Sequence, residues 1–408
     1  MTETADILIV GGGLNGPALA LALAGAGLAV TLVEARAPGI GLEAGFDGRA
    51  YALSHGSVQV LRALGLWDRI APEAQPIRSI QVADGRPGQG AAPWMLHFDS
   101  AEIEQGPMGA MVEDRFLRRA YAAAIAAHPR IAHVAPAHVV GQAVEAASAR
   151  LRLGDGRGLR GRVIVGCDGR ASGTAMRAGI RRVERDYGQT ALVCAIAHDK
   201  PHEGRAHQLF LPAGPLAILP LTGNRSSIVW SERSDQAAGI AALDDAGFLA
   251  ALRPRFGDFL GDIALAGDRF AYPLSLSLAH DLTAPRVALV GDAGHGIHPI
   301  AGQGLNLGLR DVAALAEVLV GAHRRGEDIG GQPVLDRYAI WRSWDAAALA
   351  LATDGFNGLF SNDNPLLRGV RDLGLGLVDR VPPLRRAFIR QAAGLAGDRP
   401  RMMRGEAL

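Results

Sequence analysis

The feature that most constrains this chain is a glycine-rich turn between its first predicted strand and its first predicted helix. Residues 6–10, Asp6 followed by four apolar residues, are typical of a buried parallel strand. The turn, Gly-x-Gly-x-x-Gly at residues 11–16, precedes an Ala- and Leu-rich stretch, 18–26, that favours a helix. A second apolar run, 28–33, ends at Glu34. This order predicts a βαβ unit of about thirty residues, the building block of doubly wound α/β domains.

The three glycines of the turn and Glu34 are suited to binding a dinucleotide. Gly11 permits the tight turn, Gly13 lets the backbone approach a pyrophosphate, and Gly16 permits close packing of the helix on the strand. The helix N-terminus then faces the phosphate charges. Glu34 stands about 20 residues beyond the turn, where its carboxylate can accept from the adenosine ribose hydroxyls. The pattern predicts dinucleotide binding; the alternative is a glycine-rich turn in an ordinary α/β domain.

Strands that could join the same sheet recur in the middle and near the end of the chain. We predict buried strands over 162–166 and 286–290, and helices over 113–127 and from about 304 to 323. Residues 138–153 predict two strands joined by a turn. Residues 207–232 alternate apolar runs with Pro and Gly, which favours an antiparallel sheet. The simplest topology is a nucleotide-binding domain interrupted by insertions that form a second, sheet-based domain.

A second motif bears on which dinucleotide binds. Gly291-Asp292 follows the predicted strand 286–290. An Asp there can accept from a ribityl hydroxyl, a group that FAD has and NAD lacks. It can equally cap the segment that follows. The two residues alone leave both readings open.

The longer context resembles a known family. The stretch from Gly291 to Asp311, with its core His-Pro-Ile-Ala-Gly-Gln-Gly-Leu-Asn-x-Gly-x-x-Asp, resembles the flavin motif of single-component aromatic hydroxylases. It is most similar to the signature of the ubiquinone-biosynthesis monooxygenases, the UbiH/UbiF/VisC family. Four further segments are similar to that family: 48–54, 112–115, 166–172 and 375–384.

The resemblance implies an α/β fold with an FAD-binding Rossmann-like domain of the aromatic-hydroxylase type, a β-sheet substrate domain and C-terminal helices. The expected FAD-binding domain is discontinuous and comprises residues 1–75, 106–178 and 275–345. The substrate domain would comprise 76–105 and 179–274, and the C-terminal helical region 346–408. The resemblance is weakest in 75–105 and 180–270, which should shape the substrate site.

The resemblance also implies which residues contact FAD. They come from the glycine turn at 11–16 and from Glu34 after the second strand. Others come from the arginine-containing segments 48–54 and 112–115, from the Asp-Gly motif at Asp168-Gly169, and from the flavin motif that begins at Gly291. These residues are Gly11, Gly13, Leu14, Asn15, Gly16, Glu34, Ala35, Arg36, Arg49, Arg115, Val140, Asp168, Gly291, Asp292, Gly302, Gly304, Leu305 and Asn306.

Pro299, Gly302 and Asn306 are the candidate catalytic residues of the flavin loop. Gly302 and Gly304 remove side chains where a flat ring must lie against the backbone. The positive end of the helix that follows would stabilise the anionic reduced flavin. Pro299 has a carbonyl free to accept from a phenol, and Asn306 can help to hold the loop. His295 in the same motif, like His298, is expected to be structural and satisfied by the backbone.

The implied reaction uses reduced FAD and O₂ to hydroxylate the aromatic ring of a polyprenylated phenol in ubiquinone biosynthesis. A second glycine fingerprint is absent from the sequence, so NAD(P)H would bind transiently or a partner reductase would supply electrons. Other ubiquinone-biosynthesis proteins, or a second copy of the chain, are expected partners. Two alternatives remain: a hydroxylase of a soluble phenol, and a non-catalytic flavin- or lipid-binding component of a complex.

Composition excludes several other functions. The formal net charge of +1 lacks the basic excess typical of nucleic-acid binding. Two cysteines do not make a disulfide framework, and we expect a reducing cytoplasmic location. The sequence shows no metal-ligand spacing, so no metal is expected. The many Arg and Leu residues after Leu366 predict a peripheral contact with anionic lipid of the inner membrane. The alternative is a basic helix docked on the protein.

Overall fold

The computed structural model describes residues 3–39, 42, 48–88, 90–102, 106–297, 303–342 and 381–408. Its described strands form four sheets. The nucleotide-binding sheet has six strands, and all its pairings are parallel except that of the edge strand Thr283–Ala284. In spatial order the strands are Thr283–Ala284, Val287–Leu289, Val163–Gly166, Ile7–Val10, Val30–Val33 and Ile131–Val134.

The sheet's central strands are apolar throughout because helices and a second sheet cover both of its faces. Every residue of Ile7–Val10 and Val163–Gly166 is buried. The first helix, Asn15–Gly25, and the long helix, Gln303–Arg324, belong to the core on one face. A small sheet closes the other face, with strands Glu3–Thr4, Gly158–Gly161, Ala149–Leu153 and Val139–Val144.

A nine-stranded mixed sheet, here called the large sheet, forms the other half of the molecule. Its pairings are antiparallel except that of Arg205–Leu211 with Ser79–Arg86. Helices Ser234–Ala241 and Asp245–Phe256 cover one face, where Trp230 and Phe248 are buried. The strands in order are His295–Gly296, Phe270–Ala279, Arg182–His198, Arg225–Arg233, Gly214–Leu221, Arg205–Leu211, Ser79–Arg86 and Gly90–Asp99, with Ile263–Leu265 paired to Arg182–His198.

A three-stranded sheet lies between the two halves. Its strands, in order, are Ala50–Ser54, Gly109–Glu113 and Gln75–Ile77. Side chains of these strands join an apolar cluster with residues of the large sheet, including Ala50, Ala52 and Leu219. This cluster, here called the central apolar cluster, therefore spans the junction between the halves. The remaining helices are His55–Ala63, Trp67–Ile70, Asp114–Ala127, Gly173–Arg177, Pro382–Ala392 and residues 332–342, with short 3₁₀ turns at Ala71–Glu73, Ser100–Glu102, Gly291–Ala293 and Arg401–Arg404.

Most predicted elements are confirmed, with shifted ends. The helix predicted over 113–127 is Asp114–Ala127, and the one predicted from about 304 to 323 is Gln303–Arg324. The antiparallel region predicted over 207–232 is present in the large sheet. The long strands Arg182–His198 and Phe270–Ala279 have no counterpart among the predictions.

The described part of the C-terminal region is docked on the fold. Ile389 of helix Pro382–Ala392 is completely buried in the central apolar cluster, and Met402 and Met403 enter the core beside the long helix. Arg385 forms an ion pair with Glu102 at 3.0 Å. The sequence left two interpretations of this basic segment, contact with anionic lipid or docking on the protein. Residues 381–408 are docked on the protein. Among the described helices, none combines the length and apolarity needed to cross a membrane.

Candidate active site

The glycine turn at the start of the first helix is shaped by close backbone contacts. A Cβ at Gly16 would overlap the carbonyl oxygen of Gly11, and one at Gly11 would overlap the carbonyl oxygen of Cys167. A Cβ at Gly13 would meet nothing within 4 Å. The turn is therefore packed at its base and open at Gly13, which leaves room for a ligand beside the helix N-terminus.

Glu34 lies beside this turn at the end of strand Val30–Val33. Its Oε2 accepts from the backbone N–H of Gly12 at 2.5 Å, and its Oε1 accepts from the backbone and side chain of Arg36 at 2.8 and 3.2 Å. Burial alone would raise the pKa of Glu34, but these contacts lower it below its ordinary value. The carboxylate is thus charged and in place to accept ribose hydroxyls. Ala35 and Arg36 follow on the surface.

Asn15 joins the glycine turn to the Gly291-Asp292 motif. Its side-chain amide lies where a Cβ of Gly291 or Gly308 would be, so only glycine at those two positions leaves space for it. Gly291 also has a φ of +64°, which favours glycine. Leu14, beside Asn15, is buried in the core. The first helix, the Gly291 turn and the long helix therefore meet around one side chain.

Asp292 is half-exposed at this junction and lies next to two arginines. Its carboxylate forms an ion pair with Arg170 at 3.3 Å, and Arg182 donates to its backbone oxygen at 3.1 Å. Arg170 also donates to the backbone oxygens of Ser275 and Ile297, at 3.0 and 2.9 Å. Arg170 thus ties the Asp-Gly motif region to the large sheet and to Ile297.

Two further predicted arginines are engaged with buried acids. Arg49 lies 3.5 Å from Asp114, which Arg118 also binds at 2.6 Å. Arg115 donates to Glu113 at 2.7 Å. Both arginines remain partly exposed, at 34% and 21% of their side chains, so each can also reach a ligand.

Asp168 and Val140 are two further residues that were predicted to contact FAD. The carboxylate of Asp168 accepts from the hydroxyl of Ser172 at 2.6 Å and from the backbone and hydroxyl of Thr174 at 2.9 Å. It therefore helps to hold the N-terminus of the short helix Gly173–Arg177, whose N-cap is Ser172. Val140 is 49% exposed on the small sheet, in strand Val139–Val144.

Asn306 in the first turn of the long helix is buried and held by three hydrogen bonds. Its Oδ1 accepts from the Ser54 backbone N–H at 2.8 Å and from the Ser57 hydroxyl at 2.7 Å, and its Nδ2 donates to the Ala52 oxygen at 2.8 Å. Gly304 and Leu305 begin the same turn and are partly buried. Pro299 and Gly302, like His298, lie outside the described residues.

His295 has a side-chain partner, and here the sequence expectation was wrong. Its Nε2 lies 2.8 Å from Oδ2 of Asp311, a residue of the long helix. The backbone was expected to satisfy this ring. Asp311 comes one turn and more after Asn306, and only the fold brings its carboxylate back to the Gly291 turn.

The partners Arg170, Arg182, Asp311 and Arg342 were missed by sequence reasoning. Arg170 follows the Asp-Gly motif directly and Asp311 ends the segment that resembles the flavin motif, and these two positions were the available signals. Arg182 and Arg342 reach the site from a large-sheet strand and from the helix at 332–342. Within the described ranges, no group of His, Cys, Asp and Glu side chains could hold a metal ion.

The residues present fit FAD. The open position at Gly13 and the charged Glu34 suit the pyrophosphate and adenosine ribose, while the half-exposed Asp292 suits ribityl hydroxyls. These groups lie along the carboxyl edge of the nucleotide-binding sheet, where α/β folds bind dinucleotides. The fold and the site together indicate the class of this protein, which is that of the flavoproteins.

Comparisons with known proteins place the chain more narrowly. Residues 4–351 match the family model described as FAD binding domain. The chain is 46% identical over 406 residues to a ubiquinone hydroxylase, UbiL, of Rhodospirillum rubrum, covering 99% of this chain and 93% of that protein. It is 35% identical to the 3-demethoxyubiquinol 3-hydroxylase of Escherichia coli, covering 96% and 99%. The chain belongs to this family of FAD-dependent monooxygenases.

The solved structures support the fold. The p-nitrophenol 4-monooxygenase PnpA of Pseudomonas putida superposes with a TM-score of 0.80 at 20% identity, covering 98% of this chain and all of that one. At that identity the likeness shows the fold alone. It is the FAD-binding fold with a β-sheet substrate region that the sequence resemblance implied.

Proposed function

We propose that this enzyme hydroxylates the aromatic ring of a polyprenylated phenol in ubiquinone biosynthesis. The observation that carries the proposal is near-full-length similarity to a protein named as a ubiquinone hydroxylase. The cofactor site described above supports catalysis over a purely structural role, because its backbone openings and charged groups are intact. When bound, FAD would supply the reduction of O₂ and the transfer of one oxygen atom.

The chain's own residues would bind and orient the two partners. We assign Gly11, Gly13, Leu14, Asn15, Gly16, Glu34, Ala35 and Arg36 to the adenosine and pyrophosphate end of FAD, with Arg49, Arg115, Val140 and Asp168 along the cofactor. Gly291 and Asp292 would hold the ribityl chain. Gly302, Gly304, Leu305 and Asn306 would place the ring, and the Pro299 carbonyl would accept from the phenol.

The central apolar cluster is the proposed seat of the substrate. Ala52 belongs to this cluster, and its carbonyl oxygen accepts from Asn306 at the start of the long helix. The cluster therefore lies directly beside the proposed ring site. Small apolar side chains such as Ala50 and Ala266 are only partly buried there, so a prenylated ring could lie against them while water is excluded.

We propose NAD(P)H, or a partner reductase, as the electron source, and peripheral contact with the membrane as the route to the substrate. Helix Pro382–Ala392 supports that contact, because Arg386 and Arg390, one turn apart on one face, are both exposed. A pair of exposed cations is what an anionic lipid surface attracts. We also propose two domains. Residues 1–75, 106–178 and 275–345 would form the FAD-binding domain, and residues 76–105 and 179–274 the substrate domain.

Deleting the gene tests the pathway assignment. We expect a prenylated quinone precursor lacking one ring oxygen to accumulate, as seen by mass spectrometry, and the wild-type gene to clear it. A deletion strain with normal quinone and an accumulated soluble phenol would favour a soluble substrate. If no precursor of either kind accumulates, a non-catalytic role in the complex would replace the proposal.

A further inference from the structure

A network of buried charges lies behind the Gly291-Asp292 turn, and the cofactor contacts proposed above do not use it. Asp311 and Arg342 have side chains 0% and 1% exposed, and that of His295 is 2% exposed. Nε of Arg342 donates to Oδ1 of Asp311 at 2.7 Å, while Nε2 of His295 lies 2.8 Å from Oδ2. A carboxylate so deeply buried is stable only because cations and donors surround it.

Asp311 also binds the turn itself. Its Oδ2 accepts from the backbone N–H of Gly291 at 2.9 Å. One carboxylate on the long helix therefore contacts both the start of segment 291–297 and His295 near its end. Tyr338, from the helix that carries Arg342, adds a hydrogen bond to the Leu289 oxygen at 2.7 Å. Residues 289–295 are thereby tied to two helices.

His295 also belongs to the large sheet. It pairs with Leu278 in strand Phe270–Ala279, and Gly296 pairs with Ser277. The His295–Asp311 contact thus joins an edge strand of the large sheet to the long helix, whose first turn holds Asn306. The position of the Gly291-Asp292 turn therefore depends on this joint.

We propose that His295, acting through Asp311, is a positioning residue that fixes the Gly291-Asp292 turn, to which we assign the ribityl chain of FAD. Burial would raise the pKa of Asp311, but His295 and Arg342 lower it below its ordinary value, so the carboxylate is charged and binds both partners. The assignment concerns the cofactor and is independent of which phenol is hydroxylated. Loss of ring hydroxylation with normal FAD binding would leave it untouched.

Three substitutions of His295 separate positioning from packing. In His295→Gln, the side-chain nitrogen can occupy the place of the imidazole Nε2 and still reach Asp311. His295→Asn is too short to do so, and His295→Leu fills the space without a donor. His280→Leu, at an exposed histidine whose side chain is 60% accessible, is the matched control.

The readouts are the FAD dissociation constant of the full-length apoprotein, the visible spectrum of bound flavin, and the thermal midpoint of the apoprotein. We expect His295→Gln and His280→Leu to bind FAD within about threefold of wild type, and His295→Asn and His295→Leu to lose about tenfold or more with an altered flavin spectrum. If His295→Leu fails to fold, the Gln and Asn variants decide. Equal affinity and spectra in the Gln and Asn variants, or a loss in both alike, would overturn the proposal.

Discussion

The cofactor site and the core beneath the large sheet are held in place by different kinds of contact. Around the cofactor site, the buried carboxylates of Glu113 and Asp114 each contact two arginines, and that of Asp311 contacts Arg342 and the imidazole of His295. The core beneath the large sheet is filled mainly by apolar and aromatic side chains, among them Trp230 and Phe248. Directional contacts fix where groups point, whereas apolar packing mainly supplies stability.

This difference has a practical consequence. Substitutions at the cofactor site should change FAD affinity more than the stability of the apoprotein. Substitutions beneath the large sheet should do the reverse. Trp230, for example, is fully buried against Phe248 and is therefore a packing position.

The largest expected effect is on stability, beneath the large sheet. Phe248→Ala should lower the free energy of unfolding by about 3–5 kcal/mol, because it removes a fully buried ring from the Trp230 core. Urea unfolding followed by circular dichroism measures this, with the 39% exposed Leu243→Ala as control. FAD affinity of the folded variant should match wild type; a large loss of affinity would mean that the two sides are not separable.

Gly16→Ala should act mainly on the cofactor. The added Cβ overlaps the Gly11 carbonyl and displaces the helix from the turn, so FAD binding should weaken by about 1–3 kcal/mol. Gly25→Ala at the end of the same helix is the control, since its Cβ would meet nothing within 4 Å. Equal FAD affinity in both variants, measured by fluorescence titration, would remove the glycine turn from the cofactor site.

Asp292→Ala should weaken FAD binding by about 1–3 kcal/mol, the cost of losing a charge-assisted partner. The effect should fall at the low end because this carboxylate is half-exposed. Asp281→Ala, a nearby exposed acid, controls for the change in charge. Unchanged affinity with Asp292→Ala would show that this residue caps the turn and does not bind the ribityl chain.

The smallest effect is expected at the membrane face. Replacing Arg386 and Arg390 with Gln should reduce flotation with anionic vesicles, each cation being worth up to about 1 kcal/mol near the surface. Arg150→Gln with Arg152→Gln, on the small sheet, makes the same change in charge elsewhere. These point variants are needed because removing the segment would also remove the buried Ile389, Met402 and Met403. Vesicle binding that is equal in both pairs would contradict a contact through this helix.

The sequence was most informative where chemistry and local structure coincide. The turn at 11–16, Glu34 and the helix after residue 303 could be placed because glycine geometry and helix propensity act over a few residues. The strand Arg182–His198 could not, because its first half is exposed and charged and its pairing with Phe270–Ala279 is remote in sequence. Apolar periodicity is weak in such a strand.

Partnerships across the fold were also beyond reach of the sequence. Arg170 with Asp292, and His295 with Asp311, depend on how the large sheet meets the long helix. Asn15 was assigned to the cofactor from family resemblance, but its place between Gly291 and Gly308 follows from the packing of two helices. Local pattern names the residues; tertiary packing decides which partner each one meets.

The most direct test of ring hydroxylation uses isotopic oxygen. Full-length protein saturated with FAD is supplied with NADPH, a prenylated phenol in vesicles and ¹⁸O₂, with and without a partner reductase, and the product is analysed by mass spectrometry. The account predicts one ¹⁸O atom on the aromatic ring of the product, and much less product from the Asp292→Ala variant at limiting FAD. Reduced FAD that consumes ¹⁸O₂ yet leaves the ring of every prenylated phenol unlabelled would contradict it.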